Sequence, residues 1–287
     1  MNHSGNRIVR GDNLKLLRKT ESGSIDLIYV DPPFNTGRRQ SRTQMKTVRD
    51  EAGDRVGFGG RRYRTEVVKS AGGSGYGDKY DDFLGFLRPR MVEAYRVLAE
   101  TGSLFFHIDY REVHYCKVML DEIFEVEGKV SGRECFQNEI IWAYDYGARA
   151  TKKWPAKHDN ILWYTKDPKR YTFNLDATDR IPYMAPGLVG AAKAARGKTP
   201  TDVWWHTIVS PTGKEKTGYA TQKPLGILER IVRVHSNPGD LVLDFFAGSG
   251  TTGDAAARNG RRFCLVDENA EAVAVMEKRL GLKAESL

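Results

Sequence analysis

Asp31, Pro32, Pro33 and Phe34 follow one another at the end of a largely apolar run, IDLIYV over residues 25–30. A carboxylate, two prolines and an aromatic ring in that order suit one kind of chemistry. An exocyclic amine on a planar base is a poor nucleophile, because its lone pair is delocalised into the ring. The Asp31 carboxylate and the Pro32 carbonyl can each accept one of the two amine N–H groups. Paired acceptors draw the nitrogen towards tetrahedral geometry and aim its lone pair at a methyl donor. The prolines fix the backbone, so their carbonyls face outward instead of joining a ladder. Phe34 offers a face on which the base can stack. A base inside a duplex cannot reach such a site and must be flipped out. A plain Asp-Pro turn accounts for one proline but not for the whole string.

A second constellation lies near the other end of the chain. LVLDFFAGSGTTG, residues 241–253, reads as a buried strand, an acid, a tight glycine turn and a helix start. Gly248 and Gly250 let backbone approach a ligand closely, and the helix that opens at Thr251 offers unpaired N–H groups. Asp267 ends the next predicted strand, where an acid is placed to bind both hydroxyls of a ribose. The spacing is not GxGxxG, and no GK[ST] follows, which argues against a triphosphate loop. Asp244 at the strand end repels phosphate. It suits a ligand that carries an ammonium group and a ribose, and S-adenosylmethionine has both.

DPPF, DFFAGSGTTG and TQKP (residues 221–224) together resemble the DNA amino-methyltransferases that use S-adenosylmethionine. The amine motif precedes the cofactor loop, as in the permuted β-class of that family. The resemblance covers most of the chain and is weakest over 38–79 and 166–214. It implies that Asp31, Pro32, Pro33 and Phe34 are catalytic. Asp244, Phe246, Gly248, Gly250 and Thr251 would form the cofactor loop, Thr221 and Lys223 would lie near the methionine end, Asp267 would hold the ribose and Asp12 would lie near the adenine. SLFFHID and KHDNILWYTK match core strands expected to act as scaffold. Phe245 stands where family members often have proline. The implied partner is double-stranded DNA; the resemblance also admits a second copy of the chain and a cognate restriction endonuclease. The implied target is the N6 amine of adenine. The N4 amine of cytosine, an inactive DNA-binding module, and methylation of RNA or a protein amide are the alternatives.

Composition agrees with a polyanionic partner. The 287 residues carry a formal net charge of +8, which favours phosphate contact and counterion release. No apolar run approaches a membrane span, and no signal peptide opens the sequence, so the cytoplasm is the expected compartment. Cys116, Cys135 and Cys264 show no CxxC spacing and none follows a proline, against a zinc site and against a cysteine nucleophile for ring-carbon methylation. His107 and Asp109 form too small a cluster to favour a metal.

The elements that must position these residues alternate at both ends of the chain. Strands are predicted over 24–30, 103–108, 138–144, 160–165, 241–246 and 262–266, and helices over 80–100, 113–124, 224–235, 254–258 and 270–280. A short strand and helix start fall within 8–17. Pro89 predicts a kink or break inside the 80–100 helix. The fold expected is α/β: a Rossmann-like doubly wound sheet, mostly parallel with a reversed hairpin strand, the class I methyltransferase fold. Residues 1–165 and 215–287 form the catalytic domain, with 37–79, rich in glycine and arginine, as a mobile insertion. Residues 166–214 are irregular and basic and form the candidate target-recognition region. Lys152, Lys153, Lys193, Arg196 and Lys198 are candidates for phosphate contact. Trp204 and Trp205 could stack on a base or cover the cofactor, although core packing is the commoner fate.

Overall fold

The computed structural model describes residues 5–36, 38–53, 55–56, 60, 62–78, 80–125, 131–147, 150–210 and 213–287. In chain order, β1 (Arg7–Arg10), α1 (Asn13–Lys19) and β2 (Ile25–Val30) precede β3 (Arg38–Arg49), β4 (Arg55–Val56) and β5 (Arg62–Asp78). Then come α2 (Phe83–Val97), β6 (Leu98–Ile108), α3 (Val113–Ile123), α4 (Gly132–Cys135), β7 (Phe136–Ala143), β8 (His158–Thr165), α5 (Ala191–Arg196) and β9 (Val203–Trp205). The chain closes with α6 (Leu225–His235), β10 (Leu241–Asp244), α7 (Thr251–Arg258), β11 (Arg262–Asp267), α8 (Ala270–Leu280) and β12 (Glu285–Ser286).

Among the described residues the main sheet has nine strands in the order β12-β1-β11-β10-β2-β6-β8-β7-β9. Neighbours run parallel except at β8, which is antiparallel to both β6 and β7. This is the mostly parallel sheet with one reversed hairpin strand that the alternation predicts. Both faces are covered, which is why β2 is apolar at nearly every position. Ile28 and Val30 pack with α1, α2 and α3 through Leu16, Leu87, Met91 and Leu120. Leu27 and Tyr29 face the other layer, with Ile227 and Ile231 of α6, Ala255 of α7 and Met276 of α8.

The connections fix where a ligand can sit. The chain leaving β10 passes through α7 to β11 on one side, and the chain leaving β2 reaches β6 on the other. The neighbours β10 and β2 therefore bracket the point where strand order reverses. In an open α/β sheet the crevice beyond the strand ends at that point is the binding site. Leu243 pairs with Ile28, so Asp244 and Asp31 emerge at adjacent strand ends.

Two local expectations are revised. The 37–79 segment reads as loop, yet β3 and β5 pair antiparallel from Arg38 opposite Asp78 to Arg49 opposite Tyr63, and β4 adds to β5. Gly37 and Lys79 lie outside the described residues. The hairpin is rooted at the DPPF string: the buried Asp78 accepts from the Asn35 N–H at 2.7 Å and from the Thr36 hydroxyl. At Pro89, α2 continues without a break. Phe83 and Leu87 before the proline and Met91, Ala94 and Val97 after it are buried on one face. That packing offsets the roughly 3 kcal/mol an internal proline costs.

The 166–214 region is irregular but not detached. Its β9 pairs with the edge strand β7, and Asp179 accepts from Arg230 and Arg233 of α6 at 2.7 Å each. The two tryptophans of β9 divide as alternation requires. Trp204 is 8% exposed beneath the Arg230 guanidinium, whereas Trp205 is 74% exposed. Among the described residues no helix is long and apolar enough to cross a membrane.

Candidate active site

A cavity of about 320 Å³ opens at the strand-order reversal and is lined by both constellations read from the sequence. Asp31 and Pro33 come from the exit of β2, and Asp244, Phe246, Gly248 and Thr251 from the turn after β10. Asp267 comes from the end of β11, and Thr221 and Lys223 from the segment before α6. Sites roughly two hundred residues apart in the chain thus share one wall, because β2 and β10 are neighbours in the sheet.

The glycine turn shows why small residues are needed. Gly248 has a φ of +48° and a Cβ there would lie 3.2 Å from the Tyr219 ring, which also lines the cavity. Gly250, at a φ of +72°, caps α7 and faces away: its Cβ would meet Met276 Cγ at 2.8 Å. Gly248 is therefore a matter of ligand approach and Gly250 one of packing. The Gly248 N–H donates to Asp267 at 2.9 Å and the Asn269 N–H donates to its other oxygen at 2.8 Å. Burial raises the Asp267 carboxyl, and these two donors work against it.

Asp244 is fully enclosed. It accepts from the Phe246 N–H at 3.0 Å and from the Thr252 hydroxyl at 2.6 Å. Burial pushes its carboxyl up to about 7 despite these bonds, and the Asp31 and Asp267 charges add to the rise. A cation entering the cavity would relieve that cost, which is the reason an acid belongs here.

At the other end of the cavity, one Asp31 oxygen accepts from the Lys223 ammonium. The second, Oδ1, is buried and has no hydrogen-bond partner among the described residues. A carboxylate oxygen left so is an acceptor held ready for a donor that arrives from outside. Phe34 turns towards His107, with ring centroids 5.6 Å apart, and Lys223 Nζ stands 4.8 Å from the Phe34 centroid. Pro32 is buried beneath the string.

One expected residue sits differently from its neighbours. Asp12 is the N-cap of α1, accepting from the Lys15 N–H at 2.8 Å, and the adjacent Gly11 and Asn13 line the cavity. Asn13 donates to the Phe245 carbonyl at 2.8 Å and so braces the turn. Sequence reasoning missed an aromatic shelf at this end. Tyr80 and Phe86 have centroids 4.6 Å apart, and the Arg90 guanidinium lies 3.8 Å over Phe86. Tyr80, Phe86, Arg90 and Glu268 line the cavity with Phe246. The signal available was the aromatic string in YDDFLGF, which reads equally well as helix core.

The thiols are all buried and uncommitted, and burial pushes Cys116 up to about 12 and Cys135 and Cys264 up to about 11. None is poised as a thiolate nucleophile. Among the described residues no cluster of three His, Cys, Asp or Glu could hold a metal.

Comparison with known proteins follows the same geometry. A family described as DNA methylase matches residues 25–278. The type II methyltransferase M.HpaI of Haemophilus parainfluenzae is 29% identical over 96% of this chain and 74% of its own length. The DNA adenine methyltransferase YhdJ of Escherichia coli is 29% identical over 96% of this chain and 82% of its own. A crystal structure of the M1.HpyAVI–SAM complex superposes with a TM-score of 0.60 at 21% identity, covering 96% of this chain and 99% of that one. The last match establishes a common fold.

Proposed function

This chain belongs to the DNA methylase family, and from that premise we propose that it transfers a methyl group from S-adenosylmethionine to the N6 amine of a flipped-out adenine in duplex DNA. The reading is carried by one observation: Asp31, one of whose oxygens has no hydrogen-bond partner among the described residues, and the glycine turn after β10 line the same cavity. An amine polarised at the first and a methyl group held at the second would share that space.

The residues present fit the cofactor. Asp267 and Glu268 offer carboxylates for ribose hydroxyls, Tyr80, Phe86 and Phe246 an aromatic shelf for adenine, and Asp244 and Lys223 opposite charges for an amino-acid end. Gly248 leaves the space that a Cβ would take. When bound, the cofactor supplies an electrophilic methyl on a sulfonium, with a neutral thioether as leaving group.

This chain's own residues do the rest. Asp31 and the Pro32 carbonyl accept the two N–H groups of the target amine and aim its lone pair. The lone pair forms the N–CH₃ bond while the S–CH₃ pair stays with sulfur, and the nitrogen then sheds one proton. Phe34 stacks on the base and holds it out of the duplex. Residues 1–165 and 215–287 supply this chemistry. Residues 166–214 read the target, with the exposed Lys193 and Arg196 of α5 and Lys152 and Lys153 beside the carboxyl edge on phosphates.

Duplex DNA incubated with the protein and labelled cofactor, then digested to nucleosides for mass spectrometry, tests the proposal. N6-methyladenine is expected, and Asp31→Ala should abolish it while cofactor still binds. N4-methylcytosine would transfer the same mechanism to the other amine. No methylated nucleoside, or full activity in Asp31→Ala, would overturn the reading.

A further inference from the structure

Behind Asp31 lies a buried row of polar groups that the methyl transfer itself does not use. His107, on β6, is fully buried. Its Nδ1 is 2.6 Å from the Tyr29 hydroxyl and 3.8 Å from Asp31 Oδ1, the unpartnered oxygen. Its Nε2 is 3.2 Å from Asp159 Oδ2. Tyr144 donates to the other Asp159 oxygen at 3.1 Å. The row crosses three adjacent strands, with Tyr29 on β2, His107 on β6 and Asp159 on β8.

The roles of the atoms follow from their surroundings. Burial, then the charges of Asp31, Asp244 and Asp159, hold the Tyr29 phenol protonated, so it donates to Nδ1. The Nε2–H then donates to Asp159. Burial opposes ionisation of Asp159, but the hydrogen bond from His107, with the Lys223 charge and the Tyr144 hydroxyl, favours the carboxylate, and the carboxyl lies below its usual range. This neutral imidazole, assigned from the network, leaves Asp31 Oδ1 as the one unsatisfied acceptor of the row.

We propose that His107 is a positioning residue acting through Asp31, and that it receives the proton released by the methylated amine while Asp159 balances the resulting imidazolium. The inference rests on the role given to Asp31 above. After the N–CH₃ bond forms, the nitrogen is cationic and passes one proton to the Asp31 carboxylate. Oδ1 is shut off from water, and the rest of the carboxyl group, 16% exposed, faces the cavity that base and cofactor would fill, so during the transfer the proton needs an internal acceptor. His107 Nδ1 lies about 1 Å beyond hydrogen-bond reach, a gap of the kind that closes when a substrate complex forms. As Nδ1 takes the proton, the Tyr29 hydroxyl turns from donor to acceptor. When the product leaves, the same Nδ1 proton passes back through Asp31, whose side chain is 16% exposed, to water. That restores the Asp31 carboxylate and the Nε2–H imidazole for the next turnover.

The charged and titratable groups facing His107 are Tyr29 and Asp31 from β2 and its exit, Asp159 from β8, Tyr144 from the exit of β7, and Lys223 from the segment before α6. Phe34 and Trp142 contribute uncharged rings. Lys223 cannot serve as acceptor, since its ammonium carries no free lone pair.

The test combines nitrogen-15 NMR of labelled histidine with single-turnover methylation across pH. In the cofactor-free protein His107 should appear as the Nε2–H tautomer. Asp159→Asn removes an anion beside the imidazolium, so the His107 titration moves to lower pH, and Asp31→Asn moves it the same way. In the active enzyme the acid limb of the rate profile should follow the His107 titration and shift down with it in Asp159→Asn. His107→Gln should lower the rate by about tenfold to a hundredfold, the lower range for a positioned proton acceptor, and remove that limb. Its cofactor affinity should be unchanged. A His107 titration indifferent to Asp31→Asn, or a limb that stays put in Asp159→Asn, overturns the inference, and these variants decide it if His107→Gln does not fold. A wild-type protein that methylates nothing would instead refute the proposed function.

Discussion

The Lys223 ammonium donates to Asp31 and stands 4.8 Å from the centre of the Phe34 ring, the face on which a flipped base would stack. Lysine and base cannot hold that position together. Cation–π attraction and the ion pair both keep the lysine there until another anion comes within its reach. The amino-acid carboxylate of the cofactor is such an anion. Cofactor binding should therefore draw Lys223 off Asp31 and clear the base site. Lys223→Ala should bring about more base flipping in cofactor-free complexes, read by 2-aminopurine emission at the target. It should also weaken cofactor binding by about tenfold, the loss of one charge-assisted hydrogen bond. Equal emission from both proteins would show that the lysine does not compete.

Asp244 links the cofactor site to stability. Burial raises its carboxyl to about 7, above an ordinary aspartate at 3.8. The folded protein therefore holds a proton that the unfolded chain gives up. Its contribution is present in full below the unfolded value and is lost as pH rises through the folded one. A rise of that size corresponds to about 4 kcal/mol at most. Cofactor-free protein should lose stability between about pH 4 and pH 7 through this group. Asp244→Asn should flatten that part of the profile in urea unfolding and bind cofactor more weakly, because the ammonium loses its counter-charge. Parallel profiles for the two proteins would remove Asp244 from the linkage.

How far such a site is legible in sequence depends on whether its parts are contiguous. DPPF and AGSGTTG are short strings whose chemistry follows from adjacent residues, and the apolar run before each marks a strand end. The meeting of the two could be expected because doubly wound sheets place strand ends on one edge. His107 is a different case. Its partners are Tyr29, 78 positions away, and Asp159, 52 positions away. Only the pairing of β6 with β2 on one side and β8 on the other brings them together. Read alone, HID at a strand end looks like scaffold. The β3–β5 hairpin was hidden for another reason. Its sequence has no apolar alternation, and without it a strand leaves no period of two to read.

The two glycines of the turn should separate binding from stability. Gly248→Ala places a methyl 3.2 Å from Tyr219 in the cavity wall and forces a left-handed backbone on alanine. Cofactor affinity should fall by tenfold or more, at a stability cost of about 1 kcal/mol. Gly250→Ala meets the Met276 side chain under α8, so the melting temperature should drop further while the remaining folded protein binds cofactor nearly normally. Calorimetric titration and thermal unfolding of both variants check the contrast. The same balance of losses in each would mean that the turn acts as one unit.

The proposal that 166–214 reads the target can be tested directly on DNA. Lys193 and Arg196 are exposed on α5, with no acidic residue in that helix. A side chain that touches phosphate releases counterions on binding, so its removal changes the salt dependence as well as the affinity. Lys193→Ala and Arg196→Ala should each weaken binding to every duplex by a similar factor. Each should also reduce the slope of log affinity against log salt by about one. Cofactor affinity should stay unchanged, because α5 does not line the cavity. The opposite pattern, an unchanged slope with discrimination lost at one base pair, would move these residues from the phosphates to a base edge. Fluorescence anisotropy from 50 to 300 mM salt, on a methylatable duplex and on a scrambled one, separates the two outcomes. A slope and an affinity both equal to wild type would place α5 away from the DNA, and the reading surface would then have to be sought at Lys152, Lys153 and the exposed Trp154 beside the carboxyl edge of the sheet.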